Sequence, residues 1–443
     1  MARMQLTKNN EKFAKKGLSK DIVWNLLGTF SYMFSLWVIS ILTTNMLGFE
    51  AAGVFSLCLV ASNIATSFGS YYVRVYYASD VSRRFSDEDY LFTRTLTNIV
   101  GVAVAVIYSF AMGYSLDIIG TIMLFYVYKV FELFTEIFSG TFQRYGKMYI
   151  GSILMSAKGA AAIPFFILGA YLFHSLNFGF LFMDAAAIAI FFLELWCLYK
   201  FASFRLDFKK FRLSHVGKIL LVCLPLFIVL LCSNVLPSIP KAMFEKMYTT
   251  KEFGYYSSIA TISVLIQTAA SSILMPIIPK VSLTYLKKDF IAFYKLLGAI
   301  IGMVVLMGAA SYVAVFFLGD WALGLVFDKS VLQYSYTFKT TIIAGTFTAL
   351  FVVLNQILAA VGGSLGLIVG SVAGTLACFI VSYPLCKYAY MDGISYSLIL
   401  SLGLEVLIFL AFIFLYARRR RLGLDSHAEL LEEEKKEDSA FSQ

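Results

Sequence analysis

Along this chain, apolar runs of about twenty residues alternate with short polar breaks. The runs fall at roughly 22–43, 52–73, 93–113, 117–139, 150–172, 178–199, 217–238, 256–278, 294–318, 338–360, 365–387 and 394–416. A bilayer core about 30 Å thick is crossed by about 20 apolar helical residues, and a helix satisfies its own backbone hydrogen bonds where lipid cannot. The pattern therefore predicts twelve spans and an all-α integral membrane fold. The stretch before the tenth span, "DWALGLVFDKSVLQYSYT", is amphipathic and is expected along the interface. The basic and aromatic segment "TYLKKDFIAFYK" is expected to lie on the inner leaflet.

Composition fits a membrane solvent. Hydrophobic residues make up 60% of the chain and charged ones 14%, against roughly 25% charged in a soluble domain. The placement of charge then sets orientation. Of the 36 Lys and Arg, 28 fall in the two ends and the alternate breaks on one side, and 6 in the breaks between. Positive loops stay inside, so both termini are expected in the cytoplasm. The expected organisation is a basic head (1–21), a six-helix bundle (22–200), a linker (201–216), a second six-helix bundle (217–416) and a charged tail (417–443). The +9 net charge reads as topology, with anionic membrane lipids as partners and no nucleic acid. The head lacks a short apolar core with a cleavage site, so no removable signal peptide is expected. The six cysteines lie in or at the ends of spans without paired spacing, so neither disulfides nor a metal site is expected.

An internal match supports two parallel bundles. "LGFEAAGVFSL" and "YTTKEFGYYSS" align Gly53 with Gly254 and Ser56 with Ser257, a period of six spans. "LSKDIVWNLLGTF", "NMLGFEAAGVFSL", "RVYYASDVS", "GTFQRYGKMYIGSILMSAKG" and "EFGYYSSIATISVLIQTAASSILMPIIPKVS" resemble Wzx-type polysaccharide flippases of the multidrug/oligosaccharidyl-lipid/polysaccharide (MOP) exporter superfamily. The resemblance covers nearly the whole chain. It implies a MATE-like MOP fold of two six-helix lobes, alternating access, and a polyprenyl-diphosphate-linked glycan as cargo. It also implies a multi-pass protein of the bacterial cytoplasmic membrane, with other glycan-assembly membrane proteins as candidate partners.

Charges inside spans are the candidate chemistry. At 100° per residue, Lys129, Glu132 and Glu136 form one stripe on the fourth span. Each charge at mid-bilayer costs roughly 2.5–3.5 kcal/mol on insertion scales, so the stripe must face protein or water. Lys129 falls about 16 Å deep at 1.5 Å per residue. Lys158 on the fifth span reaches the depth of Glu132, so a pair between Lys158 and Glu132 or Glu136 is reachable. Two readings stand: an ion-pair cluster pinning the two helices, or a hydrated cavity whose lysines meet a diphosphate. Arg74, in "GSYYVRVYYASD", is either an interfacial anchor or a phosphate fork. Arg144 is either a loop charge or a guard of the same entrance.

Glu405 has no charged neighbour within a turn and is a candidate proton or cation site, whereas Asp184 and Glu194 are further acids in spans. Asn25, Asn63, Gln267 and Asn355 are candidate polar lining. "GLIVGSVAG" reads as close helix packing, and Pro225, Pro237, Pro276 and Pro279 as bends or ends. No cofactor other than a coupling ion is expected. A membrane glycan polymerase or ligase would need an outward catalytic platform, but the outer breaks are short and His174, His215 and His427 form no cluster. No enzyme is therefore expected, and the nearer alternative is a drug exporter on the same fold.

Overall fold

Helices form every regular element among residues 2–80, 84–201, 211–274 and 277–422, which the computed structural model describes; side chains are described for all of these except 2–23, 25, 26, 265–274 and 279. In chain order they are α1 (Ala2–Ser70), α2 (Val73–Ser79), α3 (Asp87–Ala111), α4 (Leu116–Arg144), α5 (Met148–Phe173), α6 (Leu176–Phe201) and α7 (Leu213–Val235). There follow α8 (Ile239–Met247), α9 (Thr250–Leu274), α10 (Ile278–Leu286), α11 (Phe290–Val326), α12 (Tyr336–Ala360), α13 (Ser364–Ala389) and α14 (Asp392–Arg421), with short 3₁₀ turns at Leu236–Ser238 and Lys329–Tyr334.

Among the described residues, ten helical runs are long and apolar enough to cross a membrane. Two features separate this number from the twelve expected. The first two expected spans form one run, because the chain turns at Gly48 (φ 88°) without losing the helix on either side. The eighth coincides with α9, part of whose side chains lie outside the described set. The segment before the tenth span is not a separate interfacial helix: α11 runs through Trp321 to Val326, the 3₁₀ turn takes Lys329–Tyr334, and α12 begins at Tyr336.

Helix starts are written in local chemistry. Ser86 and Asp89 form a reciprocal capping box at α3, with Asp87, Glu88 and Asp89 in its first turn. Ser115 caps α4 and Asp289 caps α11. Such caps are each worth about 1 kcal/mol. Pro225 lies within α7 and Pro237 in the 3₁₀ turn that follows it. Residues 275–276, and with them Pro276, lie outside the described residues, as do 202–210 of the expected linker and 423–443 of the expected tail.

The chain divides into two compact units, one of Met1–Leu231 with Thr250–Gly254 and one of Cys232–Thr249 with Tyr255–Gln443. In the first, α1, α4, α5 and α6 enclose an aromatic core. Phe55 meets Phe125 edge-on at 5.5 Å, Phe125 meets Phe180 at 5.1 Å, and Tyr32 stacks on Tyr128 at 6.3 Å. Close passage of α1 over α5 sets the level of these side chains: a Cβ on Gly28 would lie 2.6 Å from the Ser152 carbonyl oxygen. In the second unit, the small residues of "GLIVGSVAG" let α13 lie against α14, where Gly370 faces Phe409 and Gly374 faces Glu405.

Gly28→Ala is expected to cost about 1–3 kcal/mol through overpacking. Gly120→Ala, at a position with nothing within 4 Å, is expected to cost nothing. Thermal unfolding of the two purified variants checks the difference.

Candidate functional site

The first unit contains a cavity of ≈250 Å³, whose walls come from four helices. Helix α1 contributes Thr29, Tyr32 and Met33; α2 contributes Arg74; α4 contributes Glu132, Thr135, Glu136 and Ser139; α5 contributes Met155 and Lys158. The volume far exceeds the ~10–15 Å³ that one water needs, and the lining is polar enough to hold it. Two members of the stripe read on the fourth span, Glu132 and Glu136, therefore line a space with room for water.

The wall charges are backed from behind. Glu132 is held by Lys129 Nζ at 2.7 Å and accepts a hydrogen bond from the Tyr32 hydroxyl. Lys129 itself is 7% exposed and lies over the Tyr32 and Phe125 rings. Glu136 is paired with Arg94 Nη2 at 3.7 Å, and Arg94 has no exposure at all. Lys158 donates to Thr135 Oγ1 at 3.1 Å, and that hydroxyl donates to Glu194 Oε2 at 3.0 Å, so a buried carboxylate stands behind the lysine. Asp184 is also buried in this region, with one oxygen unpartnered among the described residues.

Arg74 differs. Among the described residues it makes no hydrogen bond and no ion pair. Its position follows from a break in the backbone: α1 ends at Ser70, Tyr71 and Tyr72 take left-handed φ values of 42° and 60°, and α2 restarts at Val73. The break is held by two bonds to one carbonyl. Gly69 O accepts from Arg94 Nη1 at 2.6 Å and from Thr97 Oγ1 at 2.8 Å. Satisfying the open carbonyl at the end of α1 in this way lets the next turn swing Arg74 onto the cavity.

Several expected site residues stand elsewhere. Lys129 lies behind Glu132 and does not line the cavity. The reachable pair of Lys158 with Glu132 or Glu136 gives way to the Thr135–Glu194 link, because α6 brings a carboxylate to the buried side of the lysine. Arg144 is outside the cavity: it pairs with Asp87 at 2.9 Å, donates to the Asp80 carbonyl and stacks on Tyr77, bracing the end of α4 against the start of α3. Asn63 is half-buried on α1 and does not line the cavity. Asn355 is half-buried in the second unit, and the side chains of Asn25 and Gln267 lie outside the described residues.

Glu405 is 1% exposed on α14, with the Ser371 hydroxyl near its carboxylate and no basic partner among the described residues. Ser371 and Ser401 are buried in the same unit. Arg94 and Tyr32 belong to the site although the sequence reading did not single them out. A signal for Arg94 existed: Thr93, Arg94, Thr97 and Asn98 form a polar stripe at helical spacing, and all are buried.

The family model described as "Polysaccharide biosynthesis protein" matches residues 18–285. The chain is similar to the capsular polysaccharide biosynthesis protein CapF of Staphylococcus aureus, 24% identical over 247 residues, or 56% of this chain; the match spans 62% of that relative's length. Its fold is similar to the lipid II flippase MurJ in an inward closed conformation (TM-score 0.67, 13% identity, 90% of each chain). It is also similar to an inward-facing multidrug resistance MATE family transporter of the MOP superfamily (TM-score 0.65, 11% identity, 91% of this chain and 95% of the other). The fold is thus an all-α, multi-pass membrane fold of the MATE-like MOP type.

Lys129→Met strips Glu132 of its buried base and is expected to cost about 2–4 kcal/mol, because breaking one side of a buried pair is worse than removing both. The double variant Lys129→Met with Glu132→Gln is expected to regain most of the loss, read as the thermal midpoint of each purified protein.

Proposed function

We propose, for a chain that belongs to the polysaccharide biosynthesis protein family, that it is a membrane transporter which flips a polyprenyl-diphosphate-linked glycan from the inner to the outer leaflet. One observation carries this reading: Arg74 is the wall cation left without a partner among the described residues, in a cavity whose other charges are cancelled from behind. A guanidinium fork matches phosphate oxygens in a bidentate way. The Thr29 hydroxyl, exposed on the same wall, suits a sugar hydroxyl. At ≈250 Å³ the cavity takes the lipid-proximal part of the head and leaves the prenyl tail in lipid.

The protein acts as a carrier rather than an enzyme, exposing this cavity to the two sides in turn. Its basic loops and both termini face the cytoplasm of a bacterial cell, where lipid-linked glycans are assembled and anionic headgroups lie. Glu405 is the coupling site for a proton or a cation, since a buried carboxylate without a base gains most from binding either.

The glutamates facing the cavity would favour an organic cation, and so a drug exporter on the same fold, if nothing stood behind them. Their pairing with Lys129 and Arg94 argues against that reading.

Two outcomes test the proposal. Depletion of the protein is expected to trap lipid-linked glycan on the cytoplasmic leaflet, and Arg74→Ala, present at wild-type level in the membrane, is expected to restore less than about a tenth of the flux. Normal flux with Arg74→Ala contradicts the phosphate role. Glu405→Gln is expected to make flux in proteoliposomes independent of an imposed proton or sodium gradient, and unchanged gradient dependence removes Glu405 from coupling.

A further inference from the structure

Arg94 occupies a costly position. Its side chain is fully buried in α3, its Nη1 is spent on the Gly69 carbonyl, and its Nε and Nη2 make no hydrogen bond among the described residues. A buried guanidinium of this kind is stable only with a counter-charge, and its ion-pair partner is Glu136, whose side chain is 38% exposed on the cavity wall. One buried base thus answers one exposed acid. Of the charges on the cavity wall, Glu132 is answered by Lys129, Lys158 by Glu194 through Thr135, and Glu136 by Arg94. Arg74 and Glu136 share the wall and sense each other's charge.

Glu136 therefore has two possible partners, and which one holds it decides the sign of the cavity. Paired with Arg94, it leaves Arg74 open. Without Arg94, it is an unanswered acid on the same wall as Arg74, so it would neutralise that guanidinium from within and repel any anion. We propose that Arg94 is the specificity-determining positioning residue of this transporter: by holding Glu136 from behind, it keeps the cavity selective for anionic head groups, and its loss turns the same cavity toward cations. Arg94 touches no cargo; it acts through Glu136. The inference rests on the reading of Arg74 as the anion site, but its electrostatic content is measurable without any cargo.

The test uses charged thiol reagents on the full-length chain in lipid nanodiscs. Thr29→Cys places a thiol on the exposed part of the cavity wall. Five of the six native cysteines are buried and Cys232 is half-buried, so the chain without Thr29→Cys serves as the blank. The rates of modification by a sulfonate-bearing and a trimethylammonium-bearing methanethiosulfonate are measured and expressed as an anion-to-cation ratio.

Adding Arg94→Gln is expected to lower this ratio about tenfold, the order expected for one uncompensated charge about 10 Å away at intermediate dielectric. Adding Glu136→Gln to that variant is expected to return the ratio to within about twofold of the parent. A ratio that does not fall, or that stays low in the double variant, overturns the proposal, the second result assigning Arg94 to the Gly69 carbonyl alone. Glu136→Gln with Arg94 intact needs no tolerance of a lost arginine; it is expected to raise the ratio, and an unchanged ratio there also overturns the proposal.

Binding of farnesyl diphosphate to the same proteins separates the two levels. Reagent ratios that behave as expected while the diphosphate fails to bind would remove the cargo reading and leave the charge logic of Arg94 standing.

Discussion

A charged side chain on a membrane helix must be wetted or answered by an opposite charge, since lipid does neither. The first unit meets this constraint with layers. Acids on the cavity face of α4 are met by bases one layer deeper, Lys129 on the same helix and Arg94 on α3, and Lys158 on α5 is met through Thr135 by Glu194 on α6. The two pairs on the acids of α4 place the acid against the cavity and the base in the packing, whereas Lys158 and Glu194 are both buried. The first arrangement costs less than burying both, because the wet partner keeps part of its hydration. It also means that the cavity cannot change its charge without disturbing the helix packing behind it.

The layers explain why the backbone breaks where it does. A continuous helix beyond Gly69 would not need the left-handed residues Tyr71 and Tyr72. The break is tolerated because Arg94 and Thr97 satisfy the carbonyl it leaves, and it turns Arg74 toward the cavity. Arg94 thus serves two structures at once, the end of α1 and the charge on Glu136. Arg144, placed beyond the cavity, does comparable work without facing it, tying α4 to the α3 start through Asp87 and Tyr77.

Much of the fold was legible in the sequence, because spans are a one-dimensional signal: an apolar run of sufficient length in lipid has little choice but helix. The charged stripe on α4 was legible for the same reason, since residues three and four apart share a face whatever the tertiary structure. Partner choice was not. Depth along the membrane matched Lys158 to Glu132, but the rotation of α5 about its axis is set by packing, and Glu194 on α6 lies behind Lys158. Lys129 shares the stripe but does not line the cavity, being drawn back over the Tyr32 and Phe125 rings. Arg94 was hidden by its address: an arginine near the start of a span reads as a topology charge, and only the polar stripe with Thr93, Thr97 and Asn98 distinguishes it.

Arg74 as the open anion site is the central claim, and the most direct measurement is an experimental structure of the full chain with a short-chain prenyl diphosphate. Phosphate oxygens within hydrogen-bond distance of the Arg74 guanidinium, with Glu136 still against Arg94, are the expected result. A diphosphate bound away from this cavity, or Glu136 bonded to Arg74 in its presence, would contradict it.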